Sequence, residues 1–276
     1  MTPVEVLGKK YIINGSPADV KGFTHDLSAG AWYEVVRLIG GKFLFLQDHL
    51  GRLHHSVSGS GVKYPGDSLI RENLKLLQTV NDLSAGNIRI CIQAGPEGIP
   101  NLLSYFIPHH YPDPGMYETG VRLEMYPHIR PNPGIKKWDD RFRTSVGRFI
   151  REKGIYEAVL VNDNHEVTEG SRSNLFFLDR GNVLVTAPGN TVLPGITRKY
   201  ILAICDRQDI AVLERPIGLK ELGRFQACFI SGTSPGVLPV YRLDQFRFRV
   251  DHPLLRLLGK EFDRVMESHM ESLINT

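Results

Sequence analysis

Between residues 10 and 46, apolar and polar side chains alternate in short runs, 10–14, 32–38 and 42–46, with turn residues between them. A period of two sends successive side chains to opposite faces of a strand, so this part of the chain has to build sheet with one face buried. The last two runs meet across Gly40-Gly41 and are expected to pair as a hairpin. From Asp48 the period becomes helical, and a second helix is expected from Asp67 or Ser68, burying Leu69, Leu74, Leu77 and Val80. Strands are expected at 87–93 and 102–108.

Residues 109–120 carry Pro112, Pro114 and Gly115 and break both periods, so they are read as a linker. This divides the chain into an N-terminal α/β domain, residues 1–115, and a second domain, residues 121–276. The second domain is expected to hold a strand at 121–126 and, beyond Pro131, Pro133 and Gly134, a helix from Asp140 to Glu152 striped by Phe142, Val146, Phe149 and Ile150. Strands at 158–161, 175–178, 183–186 and 227–231 and a helix at 197–206 follow. An amphipathic helix from Pro253 closes the chain, with Leu254, Leu257, Leu258, Phe262 and Val265 inward. The fold class is mixed α/β (α+β).

Composition narrows what such a chain does. Hydrophobic residues make up 42% and charged residues 23% of 276, which excludes disordered, collagen-like and disulfide-scaffold classes. The net charge of +3 does not by itself call for nucleic acid or an anionic membrane. Cys91, Cys205 and Cys228 lie apart in apolar runs with no metal-ligand spacing, and read as buried thiols in a reducing compartment. The start lacks a signal-peptide pattern and no stretch nears the roughly eighteen apolar residues of a span, so the expected location is cytoplasmic.

Several motifs reduce to simpler readings. Eight basic residues lie between Arg130 and Lys153, but Arg141, Ser145, Arg148 and Glu152 recur at helical spacing opposite Phe142, as on a solvated face. Gly232-Thr-Ser-Pro-Gly236 matches G-x-S-x-G, yet Val237 to Tyr241 contains a proline and reads as extended, whereas a nucleophile elbow runs into a helix. Gly59 and Gly61 begin a G-x-G that Tyr64 ends. The pairs His54-His55 and His109-His110 are adjacent, so neither shares a face to chelate a metal.

Other segments converge on one chemistry. Leu193-Pro-Gly-Ile-Thr-Arg198 places a glycine before a helix start, whose open N–H groups and threonine hydroxyl suit a phosphate. Ser231-Gly-Thr-Ser234 is a second such turn, and Arg52, on a helix, is a third phosphate ligand. Glu169 ends an alternating strand among small residues, where a carboxylate can hold a protonated ring nitrogen. Phosphate plus pyridinium points to pyridoxal 5'-phosphate, which also needs a lysine amine.

With Tyr33-Glu-Val-Val-Arg37, Asp48-His-Leu-Gly-Arg-Leu53, Tyr156-Glu-Ala-Val-Leu160, Glu169-Gly-Ser171 and Gly232-Thr233 in this order, the chain resembles the class IV, fold type IV pyridoxal-phosphate enzymes over residues 10–245. That family holds branched-chain and D-amino-acid aminotransferases and aminodeoxychorismate lyase. The resemblance implies a smaller N-terminal α/β domain, a larger C-terminal pseudo-barrel domain that binds the cofactor, and a pocket between them. It places phosphate contacts on Arg52, Ile196, Thr197, Gly232 and Thr233, the ring nitrogen on Glu169 and a ring contact on Leu193. Counting back from Gly154 puts the Schiff-base lysine on Lys136, with Lys137 its competitor; strand alternation sends the two to opposite faces. Tyr33, Arg37 and Arg89 are the substrate-binding candidates.

The sequence departs from the family pattern at Asp139 and Arg141, three and five residues after Lys136, at Gly30-Ala-Trp32 and at Pro235-Gly236. The implied activity is transfer of an amino group from an amino acid, of the D or branched-chain type, to a 2-oxo acid. The alternatives are aminodeoxychorismate lyase, which releases pyruvate, and a non-catalytic binding protein of the same fold. The implied partners are the amino-acid and oxo-acid substrates and a second copy of the chain in a homodimer, with no metal, nucleic acid or membrane.

Overall fold

The alternating runs of the first third become a six-stranded antiparallel sheet in the computed structural model, which describes residues 5–27, 30–95, 99–109 and 111–273. The chain divides into two units: residues 1–110 with 135–144 and 269–276, and residues 111–134 with 145–268.

In the first unit β1 (Leu7–Ile13), β2 (Ser16–Asp19), β3 (Ala31–Ile39), β4 (Lys42–Phe43), β5 (Gly86–Gln93) and β6 (Asn101–Ile107) are ordered β2-β1-β6-β5-β3-β4. The expected hairpin is present, with Leu38 opposite Phe43 and Ile39 opposite Lys42. Its second strand is shorter than the run 42–46, because Phe45 takes a left-handed conformation (φ 51°, ψ 33°) and turns the chain into α1 (Leu46–Val57). A left-handed aromatic residue is unfavourable by itself. Its N–H donates to His269 Nε2 at 3.0 Å and the two rings lie 4.8 Å apart.

The pleat gives this sheet two different faces. Trp32, Val36, Leu38, Ile88, Ile90 and Ile92 pack with Leu50 and Leu53 of α1 and with Leu74 and Leu77 of α2 (Asp67–Asn81). The opposite face gathers Tyr11, Tyr33, Cys91, Leu103 and Tyr105 with Phe23 and Trp138.

The second unit is a ten-stranded mixed sheet. Part of the expected linker is helical: α3 (Pro114–Thr119) starts on a proline, whose fixed φ suits a first helical position. It ends at Gly120 (φ 73°), where a Cβ would stand 2.6 Å from Val250 Cγ1. There follow β7 (Val121–Pro127), α4 (Asp140–Lys153), β8 (Glu157–Val161), β9 (Glu166–Gly170), β10 (Asn174–Leu178), β11 (Leu184–Thr186) and α5 (Ile196–Arg207). Then come β12 (Val212–Glu214), β13 (Ile217–Gly218), β14 (Ala227–Gly232), β15 (Gly236–Leu243), β16 (Phe246–Arg247) and α6 (Pro253–Ser272). The strand order is β12-β11-β10-β14-β15-β7-β8-β9-β13, with β16 on β15. Leu123, Val159, Phe177, Ile230 and Leu238 are central to its core.

One stripe differs from expectation. α6 buries Leu255, Leu258 and Phe262, while Leu257 is 37% exposed. Four leucines among residues 254–258 offer two overlapping stripes, and helical period alone does not choose between them. Among the described residues no helix is long and apolar enough to cross a membrane.

Candidate functional site

Alternation along β3 points Glu34 to the same side as Trp32 and Val36, into the helix-covered core, where its exposure is 0%. A carboxylate taken out of water needs a cation and further hydrogen bonds. Arg52 supplies two of them, Nε to Oε1 and Nη2 to Oε2, each at 2.7 Å, and His49 Nδ1 adds a third at 2.8 Å to Oε2. His49 and Arg52 stand three residues apart on one face of α1, so one turn of helix grips one carboxylate. Burial opposes charge on Glu34, but the Arg52 guanidinium prevails and holds the carboxyl well below the usual carboxylate range. Burial also lowers the His49 value, leaving a neutral ring whose Nδ1–H donates.

Lys136 lies on a strand fragment laid along β3. Tyr33 N–H donates to Lys136 O at 3.1 Å, Trp138 N–H to Ala31 O at 2.7 Å, and Lys137 forms an antiparallel bridge with Trp32. The Lys136 N–H donates to Ser56 Oγ of α1 at 3.1 Å. The two lysines part as alternation requires. Lys136 Nζ sits 4.8 Å from the centre of the Tyr33 ring and Lys137 Nζ 5.0 Å from that of Trp32, on the other face of β3. Burial pushes the Lys136 amine below the usual lysine value; Arg52 and Arg143 add to this, against Tyr33 and Glu34.

Arg89 faces the Tyr33 side, with its guanidinium 4.7 Å from the Trp138 ring, 5.8 Å from Tyr105 and 5.9 Å from Tyr33. Arg89 Nε and Trp138 Nε1 are buried donors without a hydrogen-bond partner. Arg143 Nη2 donates to the Tyr33 hydroxyl at 2.7 Å. Arg37 is on the same face as Tyr33 but four residues along the strand, about 13 Å at strand rise, opposite Asn87.

In the second unit Glu169, 3% exposed, accepts from Arg130 Nε at 2.6 Å and from Leu193 N–H at 3.1 Å. Asn174 Nδ2 donates to Leu193 O at 3.0 Å, so the peptide groups of Leu193 are held on both sides. Gly195 follows against Asn174: a Cβ there would stand 2.0 Å from Asn174 Oδ1. It also caps α5 without a side chain, leaving the N–H groups of Ile196 and Thr197 uncapped by one. Asn174 pairs across the sheet with Ser231, the residue before Gly232, whose buried Oγ has no hydrogen-bond partner. The two turns read as phosphate ligands are thus linked through one asparagine. Gly232 and Thr233 open the turn of an antiparallel β14–β15 hairpin with Gly232 opposite Gly236, so Ser234 is on no strand-to-helix elbow.

The sequence reading did not single out Glu34, His49, Trp138, Arg143, Arg130 or Asn174. An acidic residue at an inward position of an apolar strand is a signal for Glu34; nothing local marks Arg130. The basic run 130–153 is not uniformly a solvated face. Arg141 and Arg148 are exposed, whereas Arg130 and Arg143 are engaged by Glu169 and Tyr33. His54 and His55 are exposed at the end of α1, and His110 lies outside the described residues. Among the described residues no group of His, Cys, Asp and Glu is placed to hold a metal.

A family model described as amino-transferase class IV matches residues 31–243. A D-alanine aminotransferase of Listeria monocytogenes is 28% identical over 259 residues, 87% of this chain and 88% of the relative. Among solved structures, the T.th. branched-chain amino acid aminotransferase complexed with N-(5'-phosphopyridoxyl)-L-glutamate superposes with a TM-score of 0.83 at 18% identity, covering 96% of each chain. A fold IV-transaminase from Curtobacterium pusillum gives a TM-score of 0.78 at 18% identity, covering 92% of this chain and 98% of that one. These two likenesses are of fold.

Proposed function

The chain belongs to the class IV aminotransferases, pyridoxal-phosphate enzymes of fold type IV that move an amino group between an amino acid and a 2-oxo acid, and we propose that Lys136 is its reacting lysine. The observation that carries this reading is the Lys136 amine, lowered by burial below the usual lysine value and resting on Tyr33, while Lys137 lies on the opposite face.

The residues fit the cofactor. A buried Ser231 hydroxyl without a partner beside Gly232, and a helix start with no side-chain cap, offer donors to a phosphate. Arg52, Ile196, Thr197, Gly232 and Thr233 would hold that group, Glu169 the ring nitrogen, and Leu193 one ring face. When bound, the cofactor supplies an electrophilic carbon for the amino group and a protonated ring that accepts electrons from the substrate. Lys136 would hold the cofactor through its side-chain amine, and that amine would carry the proton to and from the substrate Cα. Glu34 keeps Arg52 oriented with two hydrogen bonds.

Arg89, with its unpartnered Nε beside the unpartnered Trp138 Nε1, supports a substrate carboxylate on this face, with Tyr33 as a further contact and Arg37 at its far end. The donor is of the D-amino-acid or branched-chain type. The enzyme works as a cytoplasmic homodimer with no metal, membrane or nucleic-acid partner; three buried, unpaired cysteines accord with a reducing compartment.

The test is the visible spectrum of protein purified with pyridoxal phosphate, recorded before and after panels of L- and D-amino acids, followed by borohydride reduction and peptide mapping. The expected result is a band bleached by one panel and a reduced adduct on Lys136. Pyruvate release without an oxo-acid acceptor would move the reading to the lyase. A spectrum lacking the band after reconstitution would overturn it.

A further inference from the structure

Arg143 belongs to no motif that suggested the cofactor, yet it touches the residue on which Lys136 rests. Its Nη2 donates to the Tyr33 hydroxyl at 2.7 Å, and the face of that same ring carries Lys136 Nζ at 4.8 Å. Tyr33 itself is fixed. Its N–H is bonded to Lys136 O, its ring meets Trp138 edge-on at 5.5 Å, and it is 5% exposed. An arginine at a helix start has a long, rotamer-rich side chain, and a hydrogen bond to a rigid phenol is what localises its charge.

We propose that Arg143 is a positioning residue for the reacting amine: Tyr33 clamps its guanidinium so that a fixed positive charge stands beside Lys136. This rests on the reading of Lys136 as the reacting lysine.

Charged and titratable groups face Lys136 from several elements, with Arg89 of β5 lying 5.9 Å from the same Tyr33 ring. Glu34 and Tyr33 are on β3, Arg52 on α1 and Arg143 on α4. Arg52 is paired with Glu34 through two 2.7 Å bonds. His49, also on α1, is held neutral by burial. Arg143 adds to burial and to Arg52 in lowering the lysine value, against Tyr33 and Glu34, and its guanidinium donates to the Tyr33 hydroxyl. Lys137, over Trp32 on the other face, is outside this arrangement.

The experiment uses the full chain stripped of cofactor. Reaction of each lysine with acetic anhydride is followed against pH, with the sites resolved by peptide mass spectrometry, in wild type, Arg143→Gln, Arg143→Lys, Tyr33→Phe and the Arg143→Gln/Tyr33→Phe pair. Arg143→Gln removes the charge. Tyr33→Phe keeps both ring and charge but removes the hydrogen bond from the guanidinium to the Tyr33 hydroxyl. Each is expected to slow Lys136 acetylation at fixed neutral pH by roughly three- to tenfold, with the midpoint moved up and the double variant no slower than either single. Arg143→Lys should recover part of the rate.

A shift in Arg143→Gln with none in Tyr33→Phe would leave only a charge at a distance and overturn the positioning role, as would unchanged midpoints in both. Melting temperatures of the five proteins separate these effects from misfolding; Tyr33→Phe and Arg143→Lys are conservative enough to retain the fold. Borohydride reduction of the reconstituted wild type is the separate control on the underlying reading. An adduct on Lys137 would refute the lysine assignment, whatever the acetylation profiles show.

Discussion

Glu34 is a fully buried carboxylate whose three hydrogen bonds come from one turn of α1. Removing its charge takes from the buried Arg52 the carboxylate that it grips with two 2.7 Å bonds, so Glu34→Gln should lose about 3–5 kcal/mol of stability at neutral pH, read by urea denaturation. The pH dependence has a definite sign. The native carboxyl sits below its ordinary value of 4.5, so its contribution is complete above that value and drains as pH falls from there through the native one. The gap between wild type and Glu34→Gln should therefore narrow on acidification; a gap that widened would refute the pairing. At Gly195 the argument is steric. A methyl group 2.0 Å from Asn174 Oδ1 must displace the amide that holds Leu193. Gly195→Ala is expected to weaken pyridoxal phosphate binding at least about tenfold, the equivalent of one lost buried hydrogen bond, measured by absorbance titration. Glu34 could be flagged from alternation alone, because an inward acid demands a cation. Its choice of Arg52, and that of Glu169 for Arg130, depend on contacts 18 and 39 residues apart that no local pattern encodes.

At the scale of elements, helices and strands follow period and punctuation closely, and their ends do not. α6 is the clearest case, since both of its leucine stripes satisfy a helical period and only tertiary packing selects Leu255, Leu258 and Phe262. Leu258→Ala should cost about 2–5 kcal/mol and Leu257→Ala under about 1 kcal/mol in parallel urea titrations. Equal losses would mean that the helix is rotated from the position described. The hairpin across Gly40-Gly41 was legible, but the left-handed Phe45 that cuts its second strand was not, because the stabilising His269 bond comes from 224 residues away. The strand fragment carrying Lys136 was likewise hidden. Its prolines and glycine mark irregular backbone, while its pairing with β3 is a tertiary event that local propensity does not report. Alternation still separated the two lysines correctly, since it needs only that the fragment be extended.

For the whole molecule, nothing in the sequence signals that residues 135–144 return to the first unit. A fragment ending at residue 110 lacks Trp138 and so leaves the Tyr33 and Arg89 face without one of its aromatic partners. Such a fragment should bind a hydrophobic dye and unfold with a broad, low-cooperativity transition, and adding a peptide of residues 135–144 should sharpen it. A sharp transition in the fragment alone would show that the return segment is dispensable. The same interleaving bears on synthesis. Nascent chains commonly complete their leading part before the rest emerges, yet here the first unit draws on Lys136 and Trp138 and then on His269, so its closure waits until residue 269 has been made. The lysine-bearing unit thus closes only after the segments that interrupt it have been made, and a message cut short before residue 269 cannot leave behind a finished half-site.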